Sequence, residues 1–188
     1  MYAAVLDACV LVPNALCDTL LRLAEAGLYR PLWSSRILDE VHDAVLKVRP
    51  GIPPSRIAAR LAAMNGAFED AAVTGWEPVA AGLDLPDPDD RHVLAAAFAG
   101  GAQAVVTFNM KDFPADALAR TDVTARHPDD FLLDQLDLLP SLALSVLRGQ
   151  AVDMAKPPSD LAGVLSRLER CGVPNFAEAV RRLAPEDA

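Results

Sequence analysis

The sequence predicts an α/β fold: a three-layer α/β/α sandwich around a mostly parallel sheet, followed by a small all-helical extension. Three observations predict it. Residues 3–6 and 104–107 are short apolar runs without alternation, as expected of strands buried on both faces. Segments of helical periodicity separate such runs, and strands that alternate with helices pair in parallel through crossover connections. From Pro128 to Leu183, finally, only helical periodicity is found. With 52% hydrophobic and 23% charged residues, the 188-residue chain has enough apolar content to build a core.

Taken in order, the first run, Ala3-Ala4-Val5-Leu6, ends at Asp7. Asn14 is placed to cap a helix with Leu16, Leu20, Leu23 and Ala24 on one face and Gly27 past its end. Pro31-Leu32-Trp33 reads as a second strand. Ser34 or Ser35 is a fitting N-cap for a helix through Ile37, Leu38, Val41 and Val45, stopped by Arg49-Pro50-Gly51. Ser55 opens a third helix through Ile57, Leu61 and Met64 toward Gly66. A looser stretch around Trp76 and Val79 leads into the turn-like residues 85–90, then an Ala-rich helix over 91–99 closed by Gly100-Gly101. The strand at 104–107 is followed by a loop over 108–114. Helical segments then cover 131–139, 142–152, 161–168 after Pro157-Pro158-Ser159, and 176–183 after Pro174. These readings divide the chain into residues 1–127 and residues 128–188.

Lys and Arg total 17 against 26 Asp and Glu, a formal net charge of -9, which excludes gripping nucleic acid by bulk positive charge. The charge is unevenly spread. Asp84, Asp87, Asp89 and Asp90 crowd one segment, whereas residues 44–68 carry Lys47, Arg49, Arg56 and Arg60 and no acid. Three cysteines, Cys9, Cys17 and Cys171, lack metal-ligand spacing and fit free thiols in a reducing cytoplasm. No basic residue precedes Arg22 and Asp7 interrupts the first apolar run, so no signal peptide is expected. Residues 138–147 are too short, and broken by Pro140, to span a membrane.

In an open parallel sheet, ligands sit beyond the carboxyl ends of the strands. Asp7 follows the first strand, and Asn109 and Asp112 follow the strand at 104–107. Asp90 opens the helix feeding that strand, and Glu40 lies one to two turns into the helix after Trp33. Asp7, Glu40, Asp90 and Asp112 can therefore converge. Like charges at short range raise one another's pKa, and a divalent cation resolves the conflict. Oxygen ligands without nearby His or Cys favour Mg²⁺ or Mn²⁺ over Zn²⁺. Two such ions about 4 Å apart activate a water and stabilise the leaving oxygen of a phosphodiester, so hydrolysis of a nucleic-acid backbone is the chemistry that suits this set.

Each residue also has a plainer reading. Asp7 alone is a turn former or helix cap, Glu40 a solvated helix residue beside Asp39 and Asp43, Asp87 and Asp90 capping residues, and Asp112 a loop residue. The basic residues alone are a solvated helix face. His42, His92 and His127 are scattered without ligand spacing and read as surface or partly buried structural residues. Ser34-Ser35 reads as a cap and not as a nucleophile. Gly100-Gly101 ends a helix, the wrong polarity for a phosphate-binding loop.

Four segments together resemble the successive motifs of PIN-domain proteins, in particular VapC-type toxins of bacterial toxin–antitoxin systems. They are Ala4-Val5-Leu6-Asp7-Ala8-Cys9-Val10-Leu11, Ser35-Arg36-Ile37-Leu38-Asp39-Glu40-Val41, Asp87-Pro88-Asp89-Asp90-Arg91-His92-Val93-Leu94-Ala95-Ala96-Ala97, and Val105-Val106-Thr107-Phe108-Asn109-Met110-Lys111-Asp112-Phe113-Pro114. The resemblance implies a PIN-like nuclease domain over 1–127 and a helical extension over 128–188. It implies an Mg²⁺- or Mn²⁺-dependent endoribonuclease that hydrolyses RNA with a metal-activated water, is held inactive by a cognate antitoxin, and forms a homodimer. The family's first three acids fall on Asp7, Glu40 and Asp90. Many members have an Asp where Asn109 stands, so either Asp112 or Asn109 fills the fourth position. Thr107, Asn109 and Asp87 are the residues expected to support the ligands, and Lys47, Arg49, Arg56 and Arg60 are candidate RNA contacts. The alternative reading is a non-catalytic PIN-like module that binds a protein partner. A phosphatase of the haloacid-dehalogenase type needs a second Asp two residues after the first, and Cys9 stands there.

Overall fold

The computed structural model describes residues 1–119, 121–154 and 160–184. In chain order the elements are β1 (Ala3–Leu6), α1 (Ala8–Leu11), α2 (Asn14–Glu25), β2 (Arg30–Ser34), α3 (Ser35–Val48), α4 (Pro54–Ala67), β3 (Ala72–Val73), α5 (Glu77–Ala80), α6 (Arg91–Gly100), β4 (Ala104–Val106), α7 (Ala115–Leu118) and β5 (Thr124–Arg126). Four helices follow: α8 (Pro128–Leu138), α9 (Pro140–Asp153), α10 (Leu161–Arg170) and α11 (Pro174–Leu183). The Pro157-Pro158-Ser159 break lies outside the described residues.

The strands form one five-stranded sheet in the order β3-β2-β1-β4-β5, and every pairing is parallel. The sheet is thus the layered parallel type that the alternation of strands and helices predicts. Central β1 pairs Val5 with Leu32 of β2 and with Val105 of β4. All four residues of β1 are buried, which accounts for their unbroken apolar run. Order 2-1-4 reverses direction at β1, and the carboxyl ends of β1 and β4 are where such a sheet opens a crevice.

The chain forms two compact units. One contains Met1–Val12 and Arg30–Arg126 and holds the whole sheet; the other contains Pro13–Tyr29 with the helices from His127 onward. In the helical unit α2 packs with α9 and α10. Its core includes Leu16, Leu20, Phe131, Leu147, Leu165 and Phe176, with the Tyr29 and Phe131 rings in edge contact at 4.9 Å. Buried polar groups there are paired. The Thr19 hydroxyl donates to Gln150 Oε1 at 2.8 Å. Asp129 accepts from the backbone N–H groups of Asn175 and Phe176 at 3.1 and 2.8 Å, anchoring the first turn of α11. Among the described residues no helix is long and apolar enough to cross a membrane. Cys9, Cys17 and Cys171 are free thiols.

Two element starts differ from the sequence expectation, those of α2 and α4, while at α3 the structure selects one of the two serines expected to cap it. Asn14 is the first residue of α2 and makes no cap bond, because Pro13 occupies the cap position. Ser34, not Ser35, caps α3, accepting from the Ile37 N–H at 3.3 Å. α4 begins one residue before Ser55, at Pro54, whose missing N–H costs nothing at the first helical position.

Gly100, the last residue of α6, fixes how closely that helix lies on the sheet. A Cβ there would sit 2.7 Å from Leu32 Cδ1 and 2.9 Å from Val73 Cγ2. Leu32 and Val73 are both buried, and Val is stiff about χ1, so neither can move aside freely. Gly100→Ala is therefore expected to destabilise the protein by about 1–3 kcal/mol despite the better helix propensity of Ala, as read by urea denaturation. A neutral or stabilising result would show that the helix can ride outward at no cost.

Candidate metal centre

β1 ends at Leu6, and the backbone N–H of Asp7 continues the pairing by donating to Val106 O at 3.1 Å. Asp7 keeps an extended conformation and precedes α1, but its carboxylate makes no cap bond. Instead it is buried, and its Oδ2 accepts from the Thr107 hydroxyl at 2.6 Å and from the Cys9 thiol at 3.1 Å. Thr107 follows β4, and its Oγ1 also accepts from the Asn109 N–H at 2.9 Å. The Asn109 amide nitrogen in turn donates to Asp90 Oδ2 at 3.2 Å. One hydrogen-bonded chain therefore links Asp7, Thr107, Asn109 and Asp90 across the carboxyl edge of the sheet.

Two tight turns bring further acids to this edge. Asp87 Oδ1 accepts from the Asp89 N–H at 2.9 Å and starts the 3₁₀ turn Pro88–Asp90, which places Asp90 at the head of α6. A second 3₁₀ turn, Met110–Asp112, buries Asp112. Asp87, Asp90 and Asp112 each offer a carboxylate oxygen, and these atoms lie within 4.8 Å of one another. Burial pushes the Asp90 carboxyl up to about 6, reinforced by the charges of Asp7, Asp112 and Asp87, while His92 opposes the shift. Burial, with the Asp7 charge, pushes the Cys9 thiol up to about 12, so Cys9 serves Asp7 as a neutral S–H donor and is no thiolate.

Glu40 is not a member of the close carboxylate group. Its Oε1 lies 3.2 Å from Arg36 Nε and 3.0 Å from His92 Nε2, and His92 stands two residues beyond Asp90 in α6. Of the basic residues, Lys47, Arg49 and Arg56 are exposed, whereas half-buried Arg60 donates to the carbonyl of Leu11 and holds the end of α1. Reading the sequence missed His92 as a partner of Glu40 and Cys9 as a partner of Asp7. His92 leaves no spacing signal, because its partner lies on another helix. The placement of Cys9 two residues after the strand-end acid was the only available sign.

The donor set suits a hard divalent cation. Asp87, Asp90 and Asp112 supply oxygen alone, and the strained ionisation of Asp90 is the condition that a bound cation would relieve.

A family model described as VapC50 C-terminal domain matches residues 128–182. The protein named "Putative ribonuclease VapC50" from Mycobacterium tuberculosis is 47% identical over 96 residues, covering 51% of this chain and 56% of that protein. The chain thus matches little more than half the length of that relative. No solved structure matches the chain. A model described as PIN domain matches residues 3–111, more than half of the chain and the span that holds Asp7, Glu40 and Asp90, and the chain belongs to the PIN-domain family.

Proposed function

We propose that the chain is a VapC-type toxin: a divalent-metal-dependent endoribonuclease, specific for Mg²⁺ or Mn²⁺, that hydrolyses RNA phosphodiesters. The observation that carries this reading is the grouping of Asp87, Asp90 and Asp112, wired through Asn109 and Thr107 to Asp7. When bound, a divalent ion lowers the pKa of water and offsets negative charge at the phosphodiester. Asp90, Asp112 and Asp87 would hold such an ion, and Asp7 faces the same site with its carboxylate fixed by Thr107 and Cys9. Asn109, with an amide in place of an acid, holds Asp90 in position. Lys47, Arg49 and Arg56 would take RNA phosphates, a local and salt-sensitive contact consistent with the acidic whole. Arg60 belongs to this strip with a structural bond already made. The catalytic residues all fall within 1–127, the proposed nuclease domain, with 128–188 as its helical extension. A cognate antitoxin as inhibitor, a homodimer and a cytoplasmic setting complete the proposal. A purely interacting module has no use for carboxylates crowded at a cost in stability, which favours the nuclease over that alternative.

The test is to incubate the purified chain with total RNA, with Mn²⁺ or Mg²⁺ and with a chelator. Cleavage is expected with either ion and its loss with chelator; cleavage that survives chelation would sink the proposal.

Asp90 also predicts a stability signature. Its carboxyl titrates near 6 in the folded protein against 3.8 as the ordinary value. A raised carboxyl pKa means that the folded state holds the proton more tightly, so stability falls as pH rises from about 4 to 6, and the whole cost is present above 6. Without metal at pH 7.5, Asp90→Asn is therefore expected to raise the melting temperature by about 3 °C, the gain closing as pH falls toward 4. Added Mn²⁺ should stabilise the parent and not the variant. A variant less stable than its parent at pH 7.5 would contradict this.

A further inference from the structure

Glu40, on α3, lies outside the close carboxylate group, and the group that holds it is unusual. His92 is buried, and Glu40 Oε1 is 3.0 Å from its Nε2. Its Nδ1 is buried with no hydrogen-bond partner. Its ring packs against the edge of Trp76 at 5.9 Å. A buried ring nitrogen left unpaired costs stability, and an apolar side chain would fill the same space without that cost. Packing alone therefore does not account for a histidine here. The second group on Glu40, Arg36, binds the same oxygen from a half-exposed position, where an ion pair contributes little geometric constraint. Asp90 occupies the N-cap position of α6 and His92 lies in its first turn, so a bond from His92 sets the position of Glu40, on α3, relative to Asp90.

We infer that His92 is a positioning residue for Glu40, holding it by Oε1 and fixing its place relative to Asp90, so that Glu40 adds to cation binding at this edge. The inference rests on the nuclease reading above. Groups that orient a metal-binding carboxylate typically change metal affinity 10- to 100-fold when removed.

The test is calorimetric titration of the full chain with Mn²⁺ alone, in wild type, His92→Phe, His92→Gln, Glu40→Gln and the double variants. Mn²⁺ binding is expected to weaken about 10-fold or more in His92→Phe. His92→Gln, which keeps an N–H donor and is close to His in volume, should weaken it about 3-fold and carries the test if the Phe variant does not fold. In the Glu40→Gln background neither His92 substitution should weaken binding further, since a positioning residue has nothing left to position. A purely structural role would instead give the same loss in both backgrounds. Wild-type affinity in the His92 variants, or a loss undiminished by Glu40→Gln, would overturn the role of His92 alone. Absence of Mn²⁺ binding by the wild type at millimolar concentration would overturn the nuclease reading and this inference with it.

Discussion

Asp7→Asn is expected to lower RNA cleavage by about 10³-fold or more while the protein stays folded. The substitution is nearly isosteric, and the amide oxygen can still accept from the Thr107 hydroxyl, so the hydrogen-bonded chain to Asn109 and Asp90 survives. What is lost is a full negative charge at a buried position that helps to push Asp90 toward 6. The apo protein should therefore lose part of its internal repulsion, and its melting temperature should stay equal or rise. Initial rates on a fluorogenic RNA, read beside a thermal melt, check both halves. Retained cleavage by the folded variant would remove Asp7 from the reaction.

Thr107→Val is the second substitution with a large expected effect, because the buried Thr107 hydroxyl bonds Asp7 and Asn109 at once, with the Cys9 thiol 3.4 Å away. It donates to Asp7 Oδ2 at 2.6 Å and accepts from the Asn109 N–H at 2.9 Å. Val has the same shape and neither bond, so a carboxylate oxygen loses its stronger donor and a backbone N–H is left unpaired. A loss of about 1–3 kcal/mol in stability is expected, together with a 10- to 100-fold loss in cleavage. Thr107→Ser should restore most of both. Urea denaturation and cleavage rates at several Mn²⁺ concentrations measure the pair of effects; a Val variant as active as the parent would show that Asp7 needs no help from Thr107.

The layered parallel fold was legible because β1, β4 and the long helices announce themselves by composition and period. Residues 3–6 and 104–106 are buried on both faces and so are apolar throughout. Ser34 stands at the junction of β2 and α3, where a side-chain oxygen has an orphan N–H to satisfy. The elements that escaped are those too short to show a period. β3 has two residues and β5 three, both at the edges of the sheet, and their pairing is decided by neighbours distant in sequence. α1 is a single turn of four residues and reads like a continuation of the apolar run in β1.

At the site, the acidic residues at strand ends were legible, because topology alone sends them to one edge. Their finer grouping was not. Asp87 looks like an ordinary turn residue in sequence, and it does hold the Asp89 N–H, yet its carboxylate also lies in the close group with Asp90 and Asp112. Glu40, placed in the acidic set by its position on α3, lies outside that close group, and its Oε1 meets His92. Side-chain reach across two helices decides this, and no spacing in the sequence encodes it. Arg60 makes the same point on the basic strip, since its bond to the Leu11 carbonyl depends on how α4 lies against α1.

The central claim is that the aspartates of this edge serve hydrolysis by water and not attack by the RNA's own 2′-hydroxyl. The most direct measurement is end-group analysis of RNA cut by the purified chain in Mn²⁺. Hydrolysis is expected to leave monophosphate and hydroxyl ends, and no cutting should occur in chelator or with Asp7→Asn. Ends carrying a 2′,3′-cyclic phosphate, produced at the same rate without metal, would contradict it.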